Sequence, residues 1–559
     1  MSGTGLRLVL DLFWTGSRPV CFLPVTFPSV PQQSSLTEDS PPTTSRASIA
    51  RKGLPILLAT LISRPLGFIR EAVQAALFGA SRLTDVFIIA YNVPELIQTL
   101  FFSGVLSNFF VPVITRYREQ KEELSAVFSV AMNTAIGLAF VLAGICYVAA
   151  PTIMTAAAPG LGATDRELVV FLFRFLLPML VLHCLLAVMK GTLNSLDHYA
   201  MPEYAGVFFN LAMIACALGL VGRFGIVSLA IGAVLGSVVQ VLVQIPVLMR
   251  KGIRYRPMLG VTHPALHEMR GLVLGAVVAT AVVPINAFVD RAMASQLPAG
   301  SISALSYAFR VFMLPVSLVA VPVYTVLLTD LSAAHHQGNQ HTFKEQATAG
   351  LSLLFAVSLP ATAILIALAV PITRVLYERG QFTASDVTMT SQALVAFALG
   401  TLAYGTSQVM VRLFNATKDT RTPAWVGVGS IALNAGGDVM FMQLFGHWGI
   451  ALVTSLVSYV NTIVLYGLFR RRFGPLNEPF LLRRFGVHLL LASTLAVTLI
   501  VADRSLTNFF GPQTMLTQIW QFVCVLAIGG TAYLTLALLF RVDEVITLKR
   551  KVTQRLRQK

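Results

Sequence analysis

Long apolar segments separated by short polar ones follow each other along the chain from about residue 53 to residue 540. An apolar helix of about 18 residues or more can cross the ~30 Å hydrocarbon layer of a membrane, because an α-helix rises about 1.5 Å per residue. The pattern therefore predicts an all-α polytopic membrane protein. Its fourteen transmembrane helices, numbered here as spans 1 to 14, are predicted at 53–79, 82–113, 124–157, 165–189, 201–221, 225–249, 268–296, 301–330, 345–370, 386–411, 422–445, 448–469, 485–502 and 516–540.

The composition excludes most soluble classes of protein. Hydrophobic residues make up 55% of the chain and charged residues only 12%, whereas soluble domains have about 25% charged residues. The net charge of +16 would favour a nucleic-acid partner if the basic residues formed a patch on a polar domain, but they punctuate apolar runs instead. We therefore predict no nucleic-acid binding and no soluble enzyme.

The distribution of basic residues predicts how the chain is oriented, because flanking Lys and Arg side chains stay on the cytoplasmic side of a membrane. Thirty of them lie in the N-terminal segment, the C-terminal tail and the loops after even-numbered spans. The opposite loops carry seven, including Arg291. Both termini are therefore predicted to be cytoplasmic, which an even number of spans requires.

An internal repeat divides the chain into two similar parts. At an offset of 221, the residues Asn194, Pro202, Gly206 and Val207 fall on Asn415, Pro423, Gly427 and Val428. Six spans per repeat give two parallel lobes related by an axis along the membrane normal, with a central cleft between them. The predicted organisation is a disordered N-terminal extension (1–50), a first lobe (53–250), a second lobe (265–472), spans 13 and 14 (482–541) and a basic cytoplasmic tail (542–559).

Several ionisable residues fall inside the predicted spans, where a charge is costly unless it is paired or faces water. Span 1 carries Ser63, Arg64, Arg70 and Glu71 within SRPLGFIRE, and span 8 carries Arg310. Arginine suits phosphate, because its planar guanidinium donates two parallel hydrogen bonds and keeps its proton. These residues predict an anion site between the lobes. The alternative is that the arginines only join the lobes through Asp85, Glu95 or Glu71.

A second group of polar residues offers oxygen ligands. Asn434 and Asp438 are four residues apart on span 11 and so share a helix face, Asp290 lies near the outer end of span 7, and Thr454 lies on span 12. Carboxylate, amide and hydroxyl oxygens without His or Cys favour a hard cation, Na⁺ rather than zinc. The alternative is a buried hydrogen-bonded network without an ion. No HExxH, Walker A or GxSxG motif occurs where it could act, so transport is predicted rather than catalysis.

Several blocks of the sequence resemble the MurJ/MviN family of lipid II flippases. They are SRPLGFIREAVQAALFG, TDVFIIAYNVPELIQTLFFSGVLSNFFVPV, GSISALSYAFRVFMLPVSLVAVPVYTVLLTDLS and FNATKDTRTP, and the resemblance extends from about residue 53 to the C-terminus. It implies the multidrug/oligosaccharidyl-lipid/polysaccharide exporter fold in a bacterial cytoplasmic membrane. It also implies movement of lipid II, the undecaprenyl-diphosphate-linked peptidoglycan precursor, from the inner to the outer leaflet by alternating access. We expect the protein to be a monomer.

The resemblance also implies roles for individual residues. Arg64, Arg70 and Arg310 match the essential cavity arginines of the family, Asp85 matches its acidic residue at the start of span 2, and Glu71 replaces an Asp. Gln98 stands where some members have another arginine, Ser103 where they have an acidic residue near the inner gate, and Phe309 where an Asp or Asn precedes the span 8 arginine. The expected substrate-binding set is Ser63, Arg64, Arg70, Glu71, Asp85, Gln98 and Arg310.

The same resemblance matches Asp290, Asn434, Asp438 and Thr454 to ligands of a sodium site described in some members, and it implies that spans 13 and 14 line a groove for the lipid tail. Two other functions are compatible with these residues. One is export of a different polyprenyl-linked oligosaccharide. The other is a scaffold that transports nothing and recruits wall-synthesis proteins through its basic loops and tail.

Overall fold

The computed structural model describes residues 46–100, 111–258, 282–317, 321–510 and 514–540. The chain divides into a short unit, Met1–Arg51, and a large unit, Lys52–Lys559, to which the following description applies. Within the described ranges every regular element is a helix, which confirms the predicted all-α class. The predicted extension (1–50), apart from the start of a helix at Arg46, and the tail (542–559) lie outside the described residues, as do Ser103 and parts of spans 2, 7 and 8.

Within the described ranges, eight helices make up the first half. They are α1 (Arg46–Phe78), α2 (Arg82–Gln98), α3 (Val111–Arg116), α4 (Lys121–Val148), α5 (Ala150–Ala157), α6 (Ala163–Ser195), α7 (Ala200–Phe224) and α8 (Val227–Arg250). Of these, α1 belongs to the large unit from Lys52 onward.

The described part of the second half contains eleven further helices. They are α9 (282–294), α10 (Ser301–Pro315), α11 (Val321–His336), α12 (Gln340–Ala367), α13 (Ala369–Tyr377), α14 (Ala384–Leu399), α15 (Thr401–Ala416), α16 (Arg421–Phe445), α17 (His447–Phe473), α18 (Glu478–Phe510) and α19 (Met515–Leu539).

The helices follow the predicted spans, but some spans are interrupted. Eight described helices are long and apolar enough to cross a membrane, or nine if α14 and α15 form one span bent by 44°. This bend lies at Gly400, where a Cβ atom would stand 2.5 Å from Ser455 Oγ on α17. The missing side chain thus allows α17 to approach the bend closely. Span 3 is likewise divided, between α4 and α5, next to Pro151.

Large apolar side chains cover the outside of the helices. Trp425 is 73% exposed, Ile463 69% and Leu539 72%. Such extensive apolar exposure is unfavourable in water, whereas lipid tails are as apolar as these side chains. The exposed surface therefore agrees with a multi-pass membrane protein.

The backbone repeats with the period found in the sequence. Positive φ values, which non-glycine residues adopt only rarely, recur in pairs on either side of the midpoint. The pairs are Gly79 and Gly300, Asp197 and Lys418, Gly225 and Gly446, and Gly252 and Gly474, of which the first three have the sequence offset of 221 and the last has 222. Because Asp and Lys share this unusual conformation at equivalent positions before α7 and α16, the repeat extends to the local geometry of the turns.

Candidate functional site

A charged cavity of about 260 Å³ lies where α1 and α2 of the first half meet α9 and α10 of the second. Its charged lining side chains are Arg70, Glu71, Glu95, Arg291 and Arg310. Three guanidinium groups therefore face two carboxylates. Phe309 also lines the cavity and packs edge-to-face on Phe397, with ring centroids 5.5 Å apart, so an aromatic wall occupies this position.

One carboxylate joins the two halves inside this cavity. Glu71 is buried, and its Oε1 accepts from Arg70 Nη2 at 3.1 Å and from Arg310 Nε at 3.0 Å. Its second oxygen has no hydrogen-bond partner among the described residues. Arg310 thus reaches across from α10 to α1, as the alternative interpretation of these arginines predicted. Glu71 is buried whereas half of the Arg310 side chain is accessible, so loss of Arg310 would leave a buried carboxylate with Arg70 as its ion-pair partner.

The other residues predicted on α1 and α2 lie outside the cavity lining. Arg64 is exposed, and its Nη1 donates to the carbonyl oxygen of Ser317 at 3.3 Å. The carbonyl oxygen of Ser63 accepts from Asn210 Nδ2 at 3.4 Å, and Gln98 is half-buried at the end of α2. The structure therefore brings together Arg70, Glu71 and Arg310, while Ser63, Arg64 and Gln98 lie elsewhere along the same two helices.

Asp85 joins the halves at a different place. It is 1% exposed, and its Oδ2 accepts from the backbone nitrogen of Gly300 at 2.7 Å. Its Oδ1 accepts from the backbone nitrogen and the hydroxyl of Ser303 at 2.8 and 2.7 Å. These donors lie in the first turn of α10, whose backbone N–H groups have no partners within the helix. Asp85 of the first half therefore caps a helix of the second half.

Glycines allow the backbones of the two halves to touch beside this cap. A Cβ atom at Gly300 would lie 2.2 Å from the carbonyl oxygen of Ala80, and one at Gly380 would lie 2.2 Å from that of Ala76. The backbone nitrogen of Gln381 also donates to the Ala76 carbonyl at 2.8 Å. We call this region the closed end; it comprises residues 76–85, 160, 295–303 and 380–381.

The closed end contains a symmetry-related pair of contacts. Gly160 of the first half packs against the second half, since a Cβ there would lie 2.4 Å from the carbonyl oxygen of Ser295. Gly380 of the second half packs in the same way on Ala76. Gly160 corresponds to Gly380, and Ala76 to Ser295, at sequence offsets close to that of the repeat. The duplicated halves therefore close against each other with equivalent surfaces.

The four predicted cation ligands come together on α9, α16 and α17. Asn434 Nδ2 donates to Asp290 Oδ1, and also to Asp438 Oδ2 at 3.3 Å, while Thr454 Oγ1 donates to Asp290 Oδ2 at 3.3 Å. Asp438 is fully buried, and its Oδ1 has no hydrogen-bond partner among the described residues. Acceptor oxygens thus outnumber donors in a buried site. A set of oxygen ligands with few N–H or O–H groups among them fits a hard cation.

Sequence reasoning missed Arg291 as a cavity residue. It was counted with the basic residues of the opposite loops, and it lies three residues before the end of α9, directly after Asp290. This position agrees with the end of the predicted span, and the structure adds that the side chain of Arg291 lines the cavity. The available signal was its position within the apolar run 268–296.

Comparison with known proteins identifies the family of this arrangement. The family model described as lipid II flippase MurJ matches residues 74–521, which include the cavity residues on α2, α9 and α10. The chain belongs to the MurJ family. A probable lipid II flippase MurJ from Vibrio cholerae is 32% identical over 432 residues, covering 75% of this chain and 82% of the relative. The lipid II flippase MurJ of Burkholderia cenocepacia is 29% identical over 436 residues, covering 76% and 84%.

Solved structures agree with the MurJ assignment. A lipid II flippase MurJ in an inward closed conformation superposes with a TM-score of 0.74 at 26% identity, covering 88% of this chain and 100% of the other. An inward-facing multidrug resistance MATE family transporter of the MOP superfamily gives a TM-score of 0.63 at 15% identity, covering 77% and 99%. The latter shares the fold alone.

Proposed function

We propose that this MurJ-family chain is a lipid II flippase, a transporter rather than an enzyme, which moves the undecaprenyl-diphosphate-linked precursor from the inner to the outer leaflet of a bacterial cytoplasmic membrane. The observation that carries the proposal is the shared ion pair in the cavity. Arg70 of one half and Arg310 of the other meet on the single carboxylate of Glu71.

A diphosphate is an appropriate competitor for Glu71. It carries more charge and more acceptor oxygens than one carboxylate, and each guanidinium can bind it through two charge-assisted hydrogen bonds. When the lipid's diphosphate takes both arginines, the cross-half bond from Arg310 to Glu71 is lost. Binding of the substrate would thereby remove a contact that holds the halves together, which is the kind of differential interaction that shifts a conformational equilibrium.

The size of the cavity sets a further requirement. Its volume of about 260 Å³ is below the ~300–1,000 Å³ typical of ordinary ligand sites. A disaccharide-peptide head group therefore enters only when the halves separate. Alternating access supplies that separation, with the closed end opening to release the product.

We further propose the finer architecture expected from the sequence: fourteen spans, two parallel six-helix lobes, two additional helices and cytoplasmic termini. The repeat of positive φ values supports the duplication. The excess of basic residues in the N-terminal segment, the C-terminal tail and the loops after even-numbered spans supports cytoplasmic termini. In this orientation the closed end faces the outside of the cell. The protein is proposed to act as a monomer.

The buried oxygen cluster is proposed to hold one Na⁺, bound by Asp290, Asn434, Asp438 and Thr454. The support is the unpartnered Oδ1 of Asp438 in a site with two carboxyl groups. An ion there would neutralise part of the buried negative charge. These residues would tie α9 to α16 and α17.

The test of transport is complementation of cells depleted of their own flippase, combined with a measurement of lipid II accessibility at the outer leaflet. We expect the wild-type chain to restore both growth and accessibility. Growth without restored accessibility would favour the scaffold function. Restored export of another polyprenyl-linked oligosaccharide, without lipid II accessibility, would favour the other exporter function.

A further inference from the structure

Arg291 is a cationic side chain of the cavity that differs from its neighbours. It lines the same cavity as Arg70 and Arg310, and its guanidinium is close enough to Glu95, Arg310 and Asp290 to interact with them electrostatically. Its Nη1 donates to the carbonyl oxygen of Ala287, one turn back on α9, at 3.3 Å.

The two other cavity arginines share one carboxylate as an ion-pair partner. Arg70 and Arg310 both contact Glu71 at about 3 Å, whereas within the described ranges no carboxylate oxygen lies within 4.0 Å of Arg291. A guanidinium has five N–H donors, so most of those on Arg291 are available to a ligand. A partly buried cation without an ion-pair partner is unfavourable unless a ligand or water satisfies it.

We propose that Arg291 is a third phosphate-binding residue of the cavity and that it sets a preference for a diphosphate over a monophosphate. The inference rests on the proposed function. A lipid with one phosphate can replace Glu71 on Arg70 and Arg310. A lipid with two phosphates can do the same and place the further charge on Arg291, which requires no existing ion pair to break.

A purely structural role for Arg291 predicts a different result. If its charge only balances the nearby carboxylates, its removal changes stability but leaves the ratio of affinities for the two lipids unchanged. The ratio is therefore the informative quantity, because general loosening of the cavity would weaken both ligands alike.

The experiment measures binding of a polyprenyl diphosphate and of the polyprenyl monophosphate of equal chain length to the full chain in phosphatidylcholine nanodiscs. For Arg291→Gln we expect affinity for the diphosphate to fall about tenfold or more, as for loss of a hydrogen bond to a charged group, while the monophosphate changes little. Arg291→Lys should recover part of the loss, because it keeps the charge without the planar fork.

The matched control is Arg166→Gln. Arg166 is also partly buried and donates to one backbone carbonyl, that of Leu161 at 3.2 Å, but it lies outside this cavity. This variant should keep the wild-type ratio. If Arg291→Gln does not fold, Arg291→Lys supplies the same comparison, with a lowered ratio expected.

Two results would overturn the inference in distinguishable ways. If Arg310→Gln loses diphosphate binding while Arg291→Gln and Arg291→Lys keep the wild-type ratio, Arg291 is not a phosphate ligand and the proposed function stands. If the wild-type chain binds neither lipid, the proposed function fails, and this inference fails with it.

Discussion

The closed end and the central cavity join the same two halves of the molecule by opposite means. At the closed end, backbone touches backbone, and Gly300 and Gly380 leave no room for a single additional carbon atom. In the cavity, the halves are joined through the flexible side chains of Glu71 and Arg310. The backbone contacts of the closed end are either made or broken. In the ion pair of the cavity, by contrast, a ligand's negative charge can replace Glu71 as the partner of Arg310.

One helix connects these two regions. Ser303, which receives the Asp85 cap, and Arg310, which pairs with Glu71, both lie on α10, seven residues or about 10 Å apart along the helix axis. A rigid helix held at both points transmits displacement from one to the other. Release of Arg310 by the substrate would therefore loosen the end of α10 that seals the closed end.

The largest effect is expected in the cavity. Arg310→Ala removes the cross-half ion pair and one phosphate ligand, and it leaves Glu71 with Arg70 alone. We expect loss of lipid II accessibility at the outer leaflet with normal membrane insertion. Arg223→Ala, in the last turn of α7, is the control and should complement fully. Full complementation by Arg310→Ala would show that the cavity pair is not required for transport.

A smaller but still strong effect is expected at the closed end. In Gly300→Ala the new Cβ would meet the Ala80 carbonyl at 2.2 Å, and φ of +90° is unfavourable for alanine. We expect the closed end to fail to form, with at least a tenfold loss of transport and increased labelling of a cysteine placed there. Gly338→Ala is the control: φ at Gly338 is +68°, so alanine is strained there as well, but its Cβ would have no atom within 4 Å. The control therefore separates the effect of backbone strain from that of the close contact. Equal transport defects in the two variants would mean that the close approach is unimportant.

Helix α9 connects the cation cluster to both regions. It carries Asp290 of the cluster and Arg291 of the cavity, and Ser295 of the closed end follows its last residue. If Na⁺ binds only one conformation, it stabilises that conformation by RT ln(1 + [Na⁺]/Kd), about 2.7 kcal/mol at 100 times the Kd. We expect Na⁺, but much less K⁺, to raise the melting temperature at constant ionic strength. Asp438→Asn should abolish this specific response without unfolding the protein. A wild-type response that is the same for both ions would leave only a buried polar network.

The smallest effect is expected for Asp85→Asn, which keeps the shape but replaces one acceptor oxygen of the cap on α10. Loss of a helix cap typically costs about 1 kcal/mol, so the population of the open form should rise several-fold. Cysteine labelling at the closed end measures that change. Asn339→Ala removes the cap of α12, which lies wholly within the second half, and should leave labelling unchanged. If both variants increase labelling equally, cap loss acts through general stability.

The described helices lie at the positions expected from the apolar runs, because a helix in lipid must present apolar side chains over a membrane-spanning length. The candidate site was only partly predictable. Arg70, Glu71 and Arg310 could be identified because charges in apolar segments are costly and rare. The rotation and packing of α1 and α10 decide which of these residues meet. They also place Arg64 outside the cavity lining.

The sequence by itself determined the all-helical class, the repeat and the polar residues available inside the spans, since these depend on local composition and on the length of each apolar run. Only the tertiary structure decided that Asp85 caps a helix of the opposite half, that glycines of the two halves touch, and that Arg291 lines the cavity. The physical reason is that these contacts join residues on different helices. Their formation depends on the direction in which each side chain leaves its helix and on the space left by its neighbours.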